Sequence, residues 1–209
     1  METLHRRNPD NKLALTVIEV AVFFLVAIAA VAILLSQNVK PTTSRTVKAA
    51  SATTTHVALD IMPVKPGGPV EDWPAYLAST PLSVPANSIV TVTIRNFDLG
   101  DAALADNSPL AKVQGTVGNS ASFNGKQYSS LDAAKVSHTF TIPQLGINVP
   151  IPGDAPNNAS FLTVTFSIHT GKAGTYTFQC YAPCGTGTDG FGGPMTSMAY
   201  MKGTLTVQG

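Results

Sequence analysis

The run from Leu13 to Leu35 constrains this chain more than any other feature: 23 residues, apolar apart from Thr16 and Glu19. A helix of that length crosses a hydrocarbon core of about 30 Å. Residues 13–36 are therefore expected to form a transmembrane helix. Ser36-Gln-Asn-Val-Lys-Pro41 follows, with no small-residue cleavage site behind a short apolar core, so the sequence predicts an uncleaved anchor. Arg6, Arg7 and Lys12 precede the span while Lys40, Arg45 and Lys48 follow it, and the basic residues leave orientation open. A short tail, 1–12, before a large remainder favours an N-terminus inside the cell membrane and an extracytoplasmic main domain.

Residues 37–56 read as a solvated linker, rich in Ser, Thr, Ala and Lys and without apolar period. One domain of ordinary size, 57–209, remains. Only 12% of the chain is charged, and it holds 17 glycines and 15 prolines, a composition that suits a turn-rich, β-rich exported domain. That domain carries seven Lys/Arg against nine Asp/Glu, so no basic face exists to bind nucleic acid. Strands are expected at His56–Val64, Ser88–Ile94, His138–Ile142, Phe161–Ile168, Thr175–Gln179 and Gly203–Val207, separated by Pro, Gly and Asn clusters. Thr91-Val-Thr-Ile94 and Leu162-Thr-Val-Thr-Phe-Ser-Ile168 alternate as half-buried strands do. With no helical pattern between them, the fold class predicted is an all-β sandwich behind one membrane helix. The long segment Asp98–Val136 shows no regular period, and such a segment covers a site, contacts a partner or includes a short helix.

Both cysteines and three of the five methionines fall near the C-terminus, in Cys180-Tyr-Ala-Pro-Cys184-Gly185 and at Met195, Met198 and Met201. Thiolate and thioether sulfur select copper over harder ions. A sandwich can bring His138, at the head of one strand, beside that loop. In this arrangement the chain resembles the cupredoxins, and more closely subunit II of haem-copper (cytochrome c) oxidases in its short forms with a single span. The residues that carry the resemblance are His138-Thr-Phe-Thr, Gly146-Ile-Asn-Val-Pro-Ile-Pro-Gly153, Gly174-Thr-Tyr-Thr-Phe-Gln-Cys180, Cys184-Gly185 and Met201-Lys-Gly-Thr-Leu-Thr-Val207. It covers the anchor and most of the domain, leaving out the segment after Asp98.

The resemblance implies a Greek-key cupredoxin-like sandwich and a copper site whose ligands, carried over by position, are His138, Cys180, Cys184, Met201 and the carbonyl of Ala182. The family's second histidine is missing, because its spacing lands on Thr188 counted from Cys184 and on Met198 counted from Met201. The stretch Asp189-Gly-Phe-Gly-Gly-Pro-Met195 is inserted between them. One four-ligand set survives, so a single copper is expected. A second ion would need Met198 or Met195 in place of the histidine.

Several plainer readings stay open. Cys180 and Cys184 can form a disulfide in an oxidising compartment. The methionines can be packing residues. His169 and His56 have nothing beside them to raise them above surface residues. Glu19 can snorkel to the headgroups, or, as the resemblance implies, stand at the mouth of a proton pathway. The function expected is a respiratory electron-transfer subunit that receives electrons from an external donor and passes them to a membrane oxidase subunit I or a similar integral partner, without being an enzyme alone. The alternatives are a metal-free accessory module and a copper carrier.

Overall fold

The computed structural model describes residues 54–68 and 72–209. The tail 1–12, the span 13–36 with Glu19, and nearly all of the linker 37–56 lie outside the described residues. Among the described residues no helix is long and apolar enough to cross a membrane.

Alternation along the strands becomes two stacked sheets. The first holds β1 (Thr55–Met62), β2 (Ala75–Leu77), β4 (Ile89–Asn96), β5 (Ala121–Phe123), β6 (Lys126–Tyr128) and β9 (Leu162–His169), in the order β2-β1-β4-β9-β5-β6. The second holds β3 (Ser83–Pro85), β7 (Val136–Ile142), β8 (Ile147–Pro152), β10 (Gly174–Gln179) and β11 (Lys202–Gln208), in the order β3-β11-β10-β7-β8. Two pairings are parallel, β1 with β4 and β11 with β3, and the rest are antiparallel.

Every second residue of β4 and β9 faces inward: Val90, Val92 and Ile94 on one, Leu162, Val164, Phe166 and Ile168 on the other. Their outer neighbours are Thr and Ser, joined across the strands where Thr91 and Ser167 hydroxyls meet at 3.0 Å. Between the sheets Phe140 of β7 packs on Phe166 of β9 at 5.5 Å between ring centres, on Phe178 of β10 at 5.2 Å, and on Tyr76 of β2 at 6.1 Å. Edge and offset contacts of this kind add to the burial of large apolar area, which is what holds the two layers together.

All six expected strands are present. β8 was not expected as one, because Pro150 and Pro152 interrupt Ile147-Asn-Val-Pro-Ile-Pro152. Proline lacks an N–H and is tolerated at a sheet edge, the place β8 occupies. That edge is covered by the segment after Asp98, which contains β5, β6 and three single 3-10 turns but no α-helix. Gln114 and Asn148 exchange both backbone bonds, Tyr128 donates its hydroxyl to the Pro150 carbonyl at 2.7 Å, and Asn148 Nδ2 donates to the carbonyls of Leu110 and Lys112. The same segment pairs through β5 with β9 of the opposite sheet. It therefore bridges the two layers along one side, and β7 and β8 are buried throughout.

Candidate metal centre

Four elements meet at one end of the sandwich. β7 supplies His138 just after a register shift between Val136 and His138, a bulge of the kind that re-aims a side chain next to functional sites. Cys180 follows the last residue of β10, and its N–H donates to the Met201 carbonyl at the head of β11 at 2.9 Å. Cys184 follows four residues later, its N–H donating to the Ala182 carbonyl at 2.8 Å. Met195 ends a 3-10 turn, Gly193–Met195, with its carbonyl accepting from Gln179 Nε2 at 2.9 Å.

The side chains converge. His138 Nδ1 lies 3.9 Å from Cys180 Sγ, and the two thiol sulfurs lie 3.2 Å apart as free cysteines. Met195 Sδ lies 3.2 Å from Cys184 Sγ. A donor atom from each of His138, Cys180 and Cys184 falls within 4.8 Å of the others. Metal–sulfur bonds of about 2.3 Å in a tetrahedral shell space the donors roughly 3.8 Å apart. The imidazole and Cys180 already match that spacing, and the sulfurs need to separate by only about half an ångström. One nitrogen and several sulfurs form a soft donor set that suits copper, the cuprous ion above all.

The surroundings fix this set. The amide of Thr139 points at Cys180 Sγ from 3.4 Å, and Tyr181 N–H donates to Thr139 Oγ1 at 2.8 Å, which holds the loop against β7. Tyr76 donates its hydroxyl to the Thr139 carbonyl at 2.6 Å. On the far side of the imidazole, Nε2 is buried and lies 3.2 Å from Asp98 Oδ2, close enough for an ion pair although the angle departs from good hydrogen-bond geometry. Asp98 is itself clamped: its N–H donates to Asn96 Oδ1 at 3.0 Å, and its carbonyl accepts from Ser137 Oγ at 3.1 Å. Gly153 lets that loop approach, since a Cβ there would stand 2.3 Å from the Gly100 carbonyl oxygen. A carboxylate on one ring nitrogen directs the other toward a metal and sets the tautomer.

The titrations follow from the same neighbours. Burial alone lowers His138, but Asp98 and the Cys180 sulfur outweigh it and raise it to about 9. Burial alone raises Cys180, yet the Cys184 thiol, the His138 ring and the Thr139 amide together hold it well below the ordinary thiol range. Cys184 is pushed up, first by sharing its proton with Cys180 and then by burial.

The remaining sequence-expected residues fall as follows. Met201 is fully buried, and the bonds it makes are through its backbone, to Cys180 N–H and to the Pro194 carbonyl. The Ala182 carbonyl oxygen is 3.6 Å from Cys180 Sγ. Met198 is 52% exposed. Thr188, where spacing would place a second histidine, is on the surface, as are His56 and His169. Asp98 was not singled out from the sequence. It lies at the head of a segment with no readable period, and its contact with His138 spans 40 positions of chain.

No family model matches this sequence, and no curated protein does. Among solved structures, rusticyanins are similar. A rusticyanin variant is 19% identical over 76% of this chain and 79% of its own, with a TM-score of 0.38. A structure described as the copper protein rusticyanin is 20% identical over 76% and 80%, with a TM-score of 0.36. Rusticyanin from Thiobacillus ferrooxidans is 18% identical over 76% and 79%, with a TM-score of 0.34. Scores of this size do not place the chain in a family.

Proposed function

We propose that this protein is a membrane-anchored, cupredoxin-like electron carrier that holds one copper ion between His138, Cys180 and Cys184 and hands electrons to a membrane oxidase, in the manner of subunit II of haem-copper oxidases. The observation that carries the reading is the convergence of His138 Nδ1 with both thiol sulfurs at a buried end of the sandwich. Bound copper would supply one-electron chemistry by cycling between its cuprous and cupric states.

The chain's own residues do the rest. Asp98, 3.2 Å from Nε2, would favour the ring proton on that nitrogen and leave the Nδ1 lone pair for the ion. The Thr139 amide withdraws charge from the Cys180 sulfur, a contact of the type that tunes reduction potential. The Ala182 carbonyl and the methionine sulfurs complete the candidates for weak ligands. A framework bonded across β7, β10 and β11 would hold the donor atoms nearly fixed when the charge at its centre changes, as electron transfer needs. The anchor 13–36, with its N-terminus inside, would keep the domain on the outer surface, between an external donor and subunit I, with Glu19 near the inner end of the span at the mouth of a proton pathway.

One feature supports a second reading, that of a copper carrier. Cys184 is only partly buried and, with His138 and Asp98, lines an open cleft of about 290 Å³ through which an ion can exchange. Metal analysis after loading with cuprous and cupric ion, with absorption spectra, tests both. An electron carrier retains stoichiometric copper against a competing chelator and shows a thiolate-to-copper charge-transfer band in its oxidised form. A carrier releases the ion readily, and failure to bind copper at all removes both readings.

A further inference from the structure

We infer that the thioether of this centre is Met195, brought in by the inserted loop, and not Met201. The inference rests on the copper reading above and departs from what spacing alone assigns. Met195 is 1% exposed, and its sulfur touches Cys184 Sγ at 3.2 Å, closer than the imidazole is to Cys180.

The loop is built to deliver this side chain. Beyond Cys184 it forms a miniature hairpin: Gly185 N–H donates to the Gly190 carbonyl at 2.7 Å, and Thr186 and Gly192 exchange backbone bonds at 2.8 and 3.2 Å. The 3-10 turn then folds Met195 back beneath Cys184, held by Gln179 and, one residue earlier, by Met201 N–H on the Pro194 carbonyl at 3.1 Å. Gly185 is what admits it. A Cβ at that position would stand 2.5 Å from Met195 Cγ and 2.4 Å from the Gly192 carbonyl oxygen. The inserted stretch thus brings a third sulfur to the cluster of His138, Cys180 and Cys184. The result is a one-nitrogen, three-sulfur set, biased toward the cuprous ion.

The test uses the full chain in detergent, with cuprous ion as probe in competition with a chromogenic chelator, comparing Met195→Leu, Met201→Leu and Gly185→Ala. Met195→Leu and Gly185→Ala should weaken cuprous affinity about tenfold or more, while Met201→Leu leaves it within about threefold. Because either methionine variant can also disturb packing, selenomethionine-labelled protein is read by X-ray absorption at copper. Selenium should remain in the copper shell of Met201→Leu and vanish from that of Met195→Leu. Selenium lost only from Met201→Leu, or unchanged affinity and shell in Met195→Leu, overturns the assignment while leaving the copper reading intact. Absence of cuprous binding by the unmodified chain overturns both.

Discussion

His138 sits where three different demands meet. Its Nδ1 faces the Cys180 sulfur, its Nε2 faces the Asp98 carboxylate, and its ring is buried, with the two neighbours outweighing burial and raising the imidazole to about 9. Metal ligation requires neutral imidazole and ionised thiols, so binding must expel the His138 proton and the one kept by Cys184. The sign is fixed: affinity falls as pH falls. Cuprous affinity measured between pH 6 and 9 should rise by about tenfold per pH unit for each proton expelled, and a flat profile would contradict the proton assignment. Asp98 acts through the ring. Asp98→Asn should cost about 10- to 100-fold in affinity and shift the reduction potential, while Asp98→Glu retains part of both. Chelator competition and voltammetry measure these, and an unchanged potential in Asp98→Asn would remove Asp98 from the centre's support.

Elements explain why the site forms where it does, and why it was only partly readable. β1, β4, β7, β9, β10 and β11 show themselves in sequence by β-type runs between turn clusters, and in β4 and β9 the alternation also marks which face turns inward. β2, β3, β5 and β6 are three residues each, too short for a period of two to register. β8 was hidden by its prolines, and the segment that covers it pairs through backbone groups that no side-chain pattern announces. His138, Cys180 and Cys184 were legible because resemblance and donor chemistry coincide at them. Asp98 and Met195 reach the centre through loop geometry, which depends on Gly153 and Gly185 admitting close approach. At this scale Asn148 is the test residue, since it ties β8 to the covering segment by two bonds to Leu110 and Lys112 and accepts from Thr141 Oγ1 at 2.8 Å. Asn148→Ala orphans those groups and should destabilise the domain by about 3 kcal/mol in denaturant unfolding. A loss under about 0.5 kcal/mol, the level of ordinary surface substitutions, would mean the segment is held by other contacts.

For the molecule as a whole, the proposal joins a buried soft-donor site to a chain whose residues 13–36 read as a membrane anchor. The two ends make separate predictions. Membranes from cells expressing the full chain should retain it through alkaline extraction, whereas a variant starting at residue 54, just before β1, should be released; release of both would discard the anchor without touching the centre. The centre itself is decided by electron paramagnetic resonance of the full chain loaded with copper and oxidised. We predict one equivalent of cupric ion whose hyperfine pattern comes from a single copper nucleus, accompanied by a thiolate charge-transfer band that weakens and shifts in Cys180→Ser and disappears when Cys184→Ser is added. A signal delocalised over two nuclei, or no bound copper at all, would contradict the account.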